Sequence, residues 1–340
     1  MSTDMNIYLV GYVPKYFFSS RHTNFWPWSY LAETFRQLGY NAYHVNVNKI
    51  DHGKPGLYIC WNNPDTIELI DKYKPHKDSI LVQKLTSFDA SPESRNREWT
   101  EDPLRFFKEW HWPQYQKLDL LSGSDYRFYA FGARTDTESF PAKKRIVDKY
   151  KERIFWIPWG TMTVSYQDIM KSEPVTGNFR YDLAFVGSRW GSRYRGNISE
   201  WDAYLQPLID STVKSYIAGR GTHRGEVSVK EHVEALKRAS LCPIIHATSW
   251  KVEKGIMDRF WTVFSLGRFG VTDNEGILDF YDEKEIVLAL SPEEYIEKSL
   301  YYMKNPAMQK PYIEYALRLI REKYNQYEVW KTILSKIFSE

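Results

Sequence analysis

A chain of 340 residues exceeds what one typical hydrophobic core supports and suits two, at roughly 150 residues per domain. Hydrophobic residues at 43% against 26% charged exclude wholesale disorder, and a net charge of +3 from 46 basic and 43 acidic residues demands no polyanionic partner, leaving room for a local basic groove. The N-terminal MSTDMNIYLVGY lacks a basic leader and no 18 uncharged apolar residues occur in succession, so the expectation is a soluble cytoplasmic protein without a transmembrane segment.

From Asn6 onward, short apolar runs alternate with helical periodicity, which is how a parallel sheet with crossover helices is written. NIYLVGY reads as the first strand. SYLAETFRQLGY then places Leu31, Phe35 and Leu38 on one helical face and stops at Gly39. NAYHVNV and LYICW follow as strands. Asn63 and Pro64 provide an N-cap and a first-turn proline for a helix through Ile67 and Ile70, and SILVQKL is the next strand. Ser87 to Trp112 is polar, charged and broken by prolines, the mark of a long surface loop with short helices. YRFYAFG and RIFWIPWG close the first lobe, with the basic helix PAKKRIVDKYKER between them.

Residues from Thr161 to Asn178 lose periodicity and read as a linker. The rhythm then resumes, with DLAFVG, VKSYIAG, LCPIIHA, RFGVT and EIVLAL as strands. Ser228 with Glu231, and Ser291 with Glu294, are spaced as capping boxes, and QYEVWKTILSKIF is amphipathic through Val329, Ile333 and Ile337. Alternating βα elements imply an α/β fold of two doubly wound parallel-sheet lobes: residues 1–160, a linker 161–178, a second lobe 179–320 and a closing helix 321–340. Ligands of such sheets bind beyond the carboxyl ends of the strands, so the cleft between the lobes is the expected site.

Cys60 and Cys242 sit inside apolar runs and read as small buried hydrophobes, not as a disulfide. The 16% aromatic content suits binding faces for sugars and bases as well as cores. The stretch DLAFVGSRWGSRYRG carries chemistry. Its apolar run ends in Gly187 and opens into Ser188, Arg189, Gly191, Arg193 and Arg195. Such a loop can offer backbone N–H groups and forked guanidinium donors to a diphosphate. The plainer alternative is a solvated loop whose arginines pair with Glu200 or Asp202. No G-x-x-x-x-G-K-[ST] loop, G-x-S-x-G elbow, H-E-x-x-H pair or D-x-D triplet occurs, and GRGTHRG departs from the dinucleotide fingerprint.

KVEKGIMDRFWTVFSLGRFGVTDNEGILDFYDEKEIVLALSPEEYIEKSLYYMKNP, residues 251 to 306, resembles the C-terminal part of GT-B glycosyltransferases, most closely the CgeB-like group of glycosyltransferase family 1 and 4 relatives. In that family a segment R-x-F-E-A-x-A-x-G precedes a strand with a polar turn. Its arginine matches Arg259, its aromatic Trp261 and its glycine Gly267. The family glutamate that holds the donor ribose falls on Thr262, and its partner eight residues earlier falls on Lys254. Both glutamates are absent, which leaves open an unusual donor or lost catalysis.

The resemblance implies two Rossmann-like lobes and a metal-independent hexosyl- or pentosyltransferase with a nucleotide-sugar as co-substrate and no resident cofactor. Donor-binding positions would be Ser188, Arg189, Arg193, Gly219, His246, Ser249, Lys254, Arg259, Trp261 and Thr262, with Arg189, Lys254 and Arg259 neutralising the diphosphate. Asp89, in SFDAS, is the first candidate for the base that activates an acceptor hydroxyl, with His22 second; an Asx turn before Pro92 is the alternative for Asp89. The acceptor would be a glycan or surface polysaccharide, or a hydroxymethylated base in DNA. The DNA option rests on Arg95, Arg97, Arg105 and Lys108 interleaved with Trp99, Phe106, Phe107, Trp110 and Trp112. A non-catalytic nucleotide-sugar- or glycan-binding protein on the same fold is the other class of reading.

Overall fold

The computed structural model describes residues 5–11, 30–60, 65–85, 112–132, 141–158, 163–189, 197–247, 250–251 and 254–339. Six strands form the first sheet: β1 (Asn6–Val10), β2 (Ala42–Val45), β3 (Gly56–Cys60), β4 (Ile80–Lys84), β5 (Arg127–Gly132) and β6 (Ile154–Trp156). They lie in the order β2-β1-β3-β4-β5-β6, and every pair is parallel. Both faces are apolar, as a parallel sheet requires. One carries Ile7, Leu57, Ile59 and Val82, the other Val10, Tyr58, Cys60 and Leu81, and all five residues of β3 are buried.

The second sheet holds β7 (Tyr181–Val186) between β8 (Ser215–Ala218) and β9 (Ala239–Leu241), again parallel. The expected strands RFGVT and EIVLAL form only single parallel bridges, Ile244 to Thr272 and Thr272 to Leu288. Their ladder hydrogen bonds are nevertheless present: Cys242 N–H donates to Phe269 O at 2.9 Å, Ile244 N–H to Val271 O at 3.1 Å and Ala289 N–H to Thr272 O at 2.9 Å. The carboxyl ends of all five segments therefore share one edge.

Local signals explain most boundaries. Ser228 and Glu231 form the full capping box at the helix Val229–Lys237. At the helix Pro292–Lys304, Ser291 accepts from Glu294 N–H at 3.2 Å, while the Glu294 carboxylate accepts from Leu290 N–H at 3.0 Å and from Lys298. The first-lobe helix starts later than its proline suggested: Asp65 caps Thr66–Glu68 by accepting from Glu68 N–H, and Asn63 and Pro64 lie outside the described residues. Cys60 and Cys242 are buried and unpaired with each other, and burial pushes the Cys242 thiol up to about 12.

The stretch expected to be irregular is built. Ser165 caps a helix, Tyr166–Lys171, and Arg321 Nε donates to Ile169 O at 3.2 Å while Gln326 Nε2 donates to Val164 O at 3.2 Å. The final helix, Gln326–Ser339, then returns to the first sheet. Trp330 meets Phe35 and Phe131 edge-on at 5.0 and 5.6 Å, and Lys336 reaches Glu152 at 3.0 Å. This helix ties the C-terminal end of the chain to the first lobe. Trp330→Phe should cost about 2 kcal/mol in urea unfolding, because the smaller ring leaves part of a fully buried site empty.

Candidate functional site

The carboxyl edge of the second sheet is where backbone loops converge. Beyond Val186, Gly187 N–H donates to Ala218 O at 2.8 Å and Arg189 N–H to Arg220 O at 2.8 Å, so the loop after β7 lies along the loop after β8. Asn197 Nδ2 fixes it from the other side through Ser188 O at 2.7 Å. Two glycines permit this approach. Gly219 has φ +131°, and a Cβ there would stand 2.2 Å from Gly187 O; Gly221 has φ +78°, with a Cβ 2.2 Å from Arg189 O. Gly219→Ala should therefore cost about 2 kcal/mol of stability, read by urea unfolding, since both the backbone angle and the neighbouring carbonyl resist the methyl group.

Arg259 reaches this edge from the helix Asp258–Ser265. Its Nη1 donates to Ile245 O at 2.9 Å, its Nη2 lies 3.5 Å from Val186 O, and the guanidinium stacks on the Phe185 ring at 4.1 Å. No carboxylate lies within 4.0 Å of it among the described residues. Burial lowers its pKa, with Asp258, Tyr295 and Asp273 acting in the opposite sense from further away, and a guanidinium remains charged regardless. A largely buried cation without a contacting counter-ion is costly unless something anionic arrives. His232 is a neutral neighbour, its pKa pushed down to about 3 first by burial and then by the Arg259 charge.

Beside Arg259 lies a second group of paired charges, in which His246 Nε2 alone has no partner among the described residues. Asp273 Oδ1 accepts from the His246 backbone N–H at 2.9 Å and pairs with His246 Nδ1 at 2.7 Å, while Oδ2 pairs with Lys251 Nζ at 2.7 Å. Burial pushes the Asp273 carboxyl up, but His246 and Lys251 together outweigh it and hold the group below its ordinary value. Asn274 next to it donates to Gly255 O at 2.8 Å and Trp250 O at 3.3 Å, tying those two residues to the strand end.

Of the positions expected from sequence, the structure brings Ser188, Arg189, Gly219, His246 and Arg259 to one edge. Arg189 makes the ion pair of the plainer reading, with Asp202 at 3.0 Å. Both side chains are exposed, so the pair holds the guanidinium only weakly, by about 0–1 kcal/mol. Lys254 has φ 51° and pairs at the surface with Glu275 at 3.0 Å. Trp261 and Thr262 face inward instead of outward. Trp261 is fully buried among Trp156, Phe280 and Tyr324, and Thr262 Oγ1 meets Thr163 Oγ1 at 3.1 Å. Neither presents a surface to a ligand in this conformation. Asp89, His22, Arg193, Arg195 and Ser249 lie outside the described residues, as do residues 86–111 of the basic aromatic segment.

Lys251, Asp273 and His232 were not singled out from the sequence. A usable signal existed for Asp273: it ends the apolar run RFGVT just as His246 ends LCPII, and both follow a buried strand to the ligand edge.

Residues 173–335 match a family model described as glycosyl transferase-like. No curated protein sequence is significantly similar to the chain. Among solved structures, the T4 phage β-glucosyltransferase bound to UDP-glucose aligns with TM-score 0.60 and 13% identity over 98% of this chain and 99% of its own. An α-glucosyltransferase in complex with UDP and a 13-mer DNA containing a HMU base aligns with TM-score 0.57 and 10% identity over 99% and 100%. Anabaena Alr3699/HepE in complex with UDP-glucose gives TM-score 0.55 and 11% identity over 99% and 100%. The chain therefore shares the GT-B fold of these structures from end to end, and its residues 173–335, which include Arg259 at the sheet edge, match the glycosyl transferase-like family model.

Proposed function

We propose that the protein transfers a hexose from a uridine diphosphate sugar to a hydroxyl acceptor, with the diphosphate seated against Arg259. The single observation that carries this reading is the Arg259 guanidinium, anchored on the carbonyls of two strand ends with no contacting carboxylate among the described residues. Glycosidic cleavage gathers negative charge on the departing diphosphate. A fixed cation there stabilises the transition state more than the bound sugar nucleotide, which is what accelerates the step. Ser188, Arg189 and the Gly219 turn would line the same anion, and the Arg189–Asp202 pair is weak enough to open for it.

The choice of uridine rests on the structures that share the fold, which contain UDP or UDP-glucose. For the acceptor we favour a hydroxymethylated base in duplex DNA. Two of the matching structures are of a DNA-modifying enzyme and of an enzyme in complex with DNA containing a HMU base. The base that activates the acceptor would be Asp89, with His22 the alternative. Glycan hydroxyls are the competing acceptor class. The transfer is proposed to need no metal; one T4 complex contains UDP and Mn2+, so the assay is run with and without that ion.

A thermal-shift panel of nucleoside diphosphates tests the donor. UDP at 100 times its dissociation constant should add about 2.7 kcal/mol of stability. The shift should be smaller with ADP and GDP and absent in Arg259→Ala. Equal shifts with every nucleotide, or none with any, would remove the uridine reading.

A further inference from the structure

Asp273 is pinned by the strand end, and Lys251 is held through it. The carboxylate is fully buried and accepts twice from His246, one of those bonds being to the backbone of the strand end itself. Lys251 hangs from the loop beyond that strand on a four-carbon stem, with 24% of its side chain exposed and its ammonium 4.2 Å from the centre of the Tyr204 ring. An ammonium has three donors, and the contacts here are one carboxylate oxygen of Asp273 and the Tyr204 side chain, through its ring and its hydroxyl. Its position along the chain matters as well. Arg259 Nη1 is held by Ile245 O, the residue before His246, so Lys251 and Arg259 are referenced to the same strand end. Lys254, by contrast, belongs to a surface pair with Glu275 in which both side chains are about half exposed.

We propose that Lys251, held by Asp273, is the second cation of the diphosphate site, in the role that the family resemblance implied for Lys254. The inference rests on the sugar-nucleotide reading above. A flexible lysine loses much of its value as a transition-state contact if it must be ordered during the reaction, and a buried counter-charge that cannot move orders it beforehand. Burial lowers the pKa of Lys251, but Asp273 and Tyr204 together more than reverse this, so the ammonium is charged when the donor arrives.

The test is UDP affinity by calorimetry for wild type, Lys251→Arg, Lys251→Gln and the double variant Lys251→Met with Asp273→Asn, with thermal unfolding to identify folded samples. Lys251→Met alone would strand a buried carboxylate; the double variant removes both charges together and keeps an acceptor for His246. Lys251→Arg should bind UDP within about threefold of wild type, whereas Lys251→Gln and the folded double variant should lose about 10- to 100-fold. If either uncharged variant binds UDP as tightly as wild type, Lys251 serves only to neutralise Asp273 and the inference fails. If folded wild type binds no UDP at all, the sugar-nucleotide reading itself is what fails, and the two outcomes are separate.

Discussion

Arg259→Ala should lower kcat/KM for UDP-glucose, the proposed donor, by about 100- to 1,000-fold, the effect of deleting one fixed donor to developing anionic charge. The protein should meanwhile remain folded. Removing the side chain forfeits two bonds to strand-end carbonyls but also a largely buried charge without a contacting partner, and these oppose each other. Arg259→Lys should not restore activity. The guanidinium fork holds Ile245 O and Val186 O and still carries unused N–H donors, whereas an ammonium on a shorter reach cannot bridge both carbonyls. Steady-state kinetics with urea unfolding as a companion measurement separates the two effects. A loss of activity that tracked a loss of stability would place Arg259 in the scaffold and not in the chemistry.

Asp273→Ala should destabilise the protein by about 3 kcal/mol at pH 7, the lower end for breaking a buried ion pair, because partly exposed Lys251 can return to water. The size of this effect should depend on pH. Asp273 is held below the ordinary value of 3.8, against its burial, by His246 and Lys251. A depressed folded-state pKa means that the contribution is complete above the unfolded-state value and disappears as pH falls through the folded-state one. The gap between wild type and variant should therefore be constant from pH 7 to about pH 5 and narrow below about pH 4. Urea unfolding at pH 7, 5, 4 and 3 reads it directly. A gap that widened on acidification would contradict the assignment of Asp273 as an ionised, paired carboxylate.

Much of the first lobe was legible because its strands are short, continuously apolar runs. LYICW and SILVQKL became β3 and β4, buried on both faces. The second lobe was readable in order but not in pairing. RFGVT contains Gly270, where a Cβ would stand 2.2 Å from Cys242 O; the segment lies against the strand before it through hydrogen bonds at Phe269 and Val271, yet forms only bridges. The linker looked irregular because its helix has six residues, too short for periodicity to register, although Ser165 announces it as an N-cap.

Within the candidate site, Arg259 was legible as a candidate because it stands in a recognisable local pattern with Gly267. Trp261 was misdirected by the same pattern. Its helix is buried on every side from Phe260 to Ser265, so neither polarity nor spacing showed which residue faced the cleft. The Lys251–Asp273 pair had no spacing signal at all, since 22 positions separate the partners and only the tertiary structure brings them together.

The central claim is sugar transfer from a uridine diphosphate donor, and labelled-glucose transfer from UDP-glucose tests it most directly. Wild type and Arg259→Ala would be incubated with duplex DNA carrying hydroxymethylated bases, with the same duplex unmodified, and with glycan acceptors, each with and without Mn2+. Label should pass to the hydroxymethylated duplex with wild type, without need of the metal, and fall about 100-fold or more with the variant. Label on a glycan would keep the donor and change the acceptor. If UDP binds tightly but no sugar leaves it under any condition, the protein is a sugar-nucleotide binder on a glycosyltransferase fold, and transfer is contradicted.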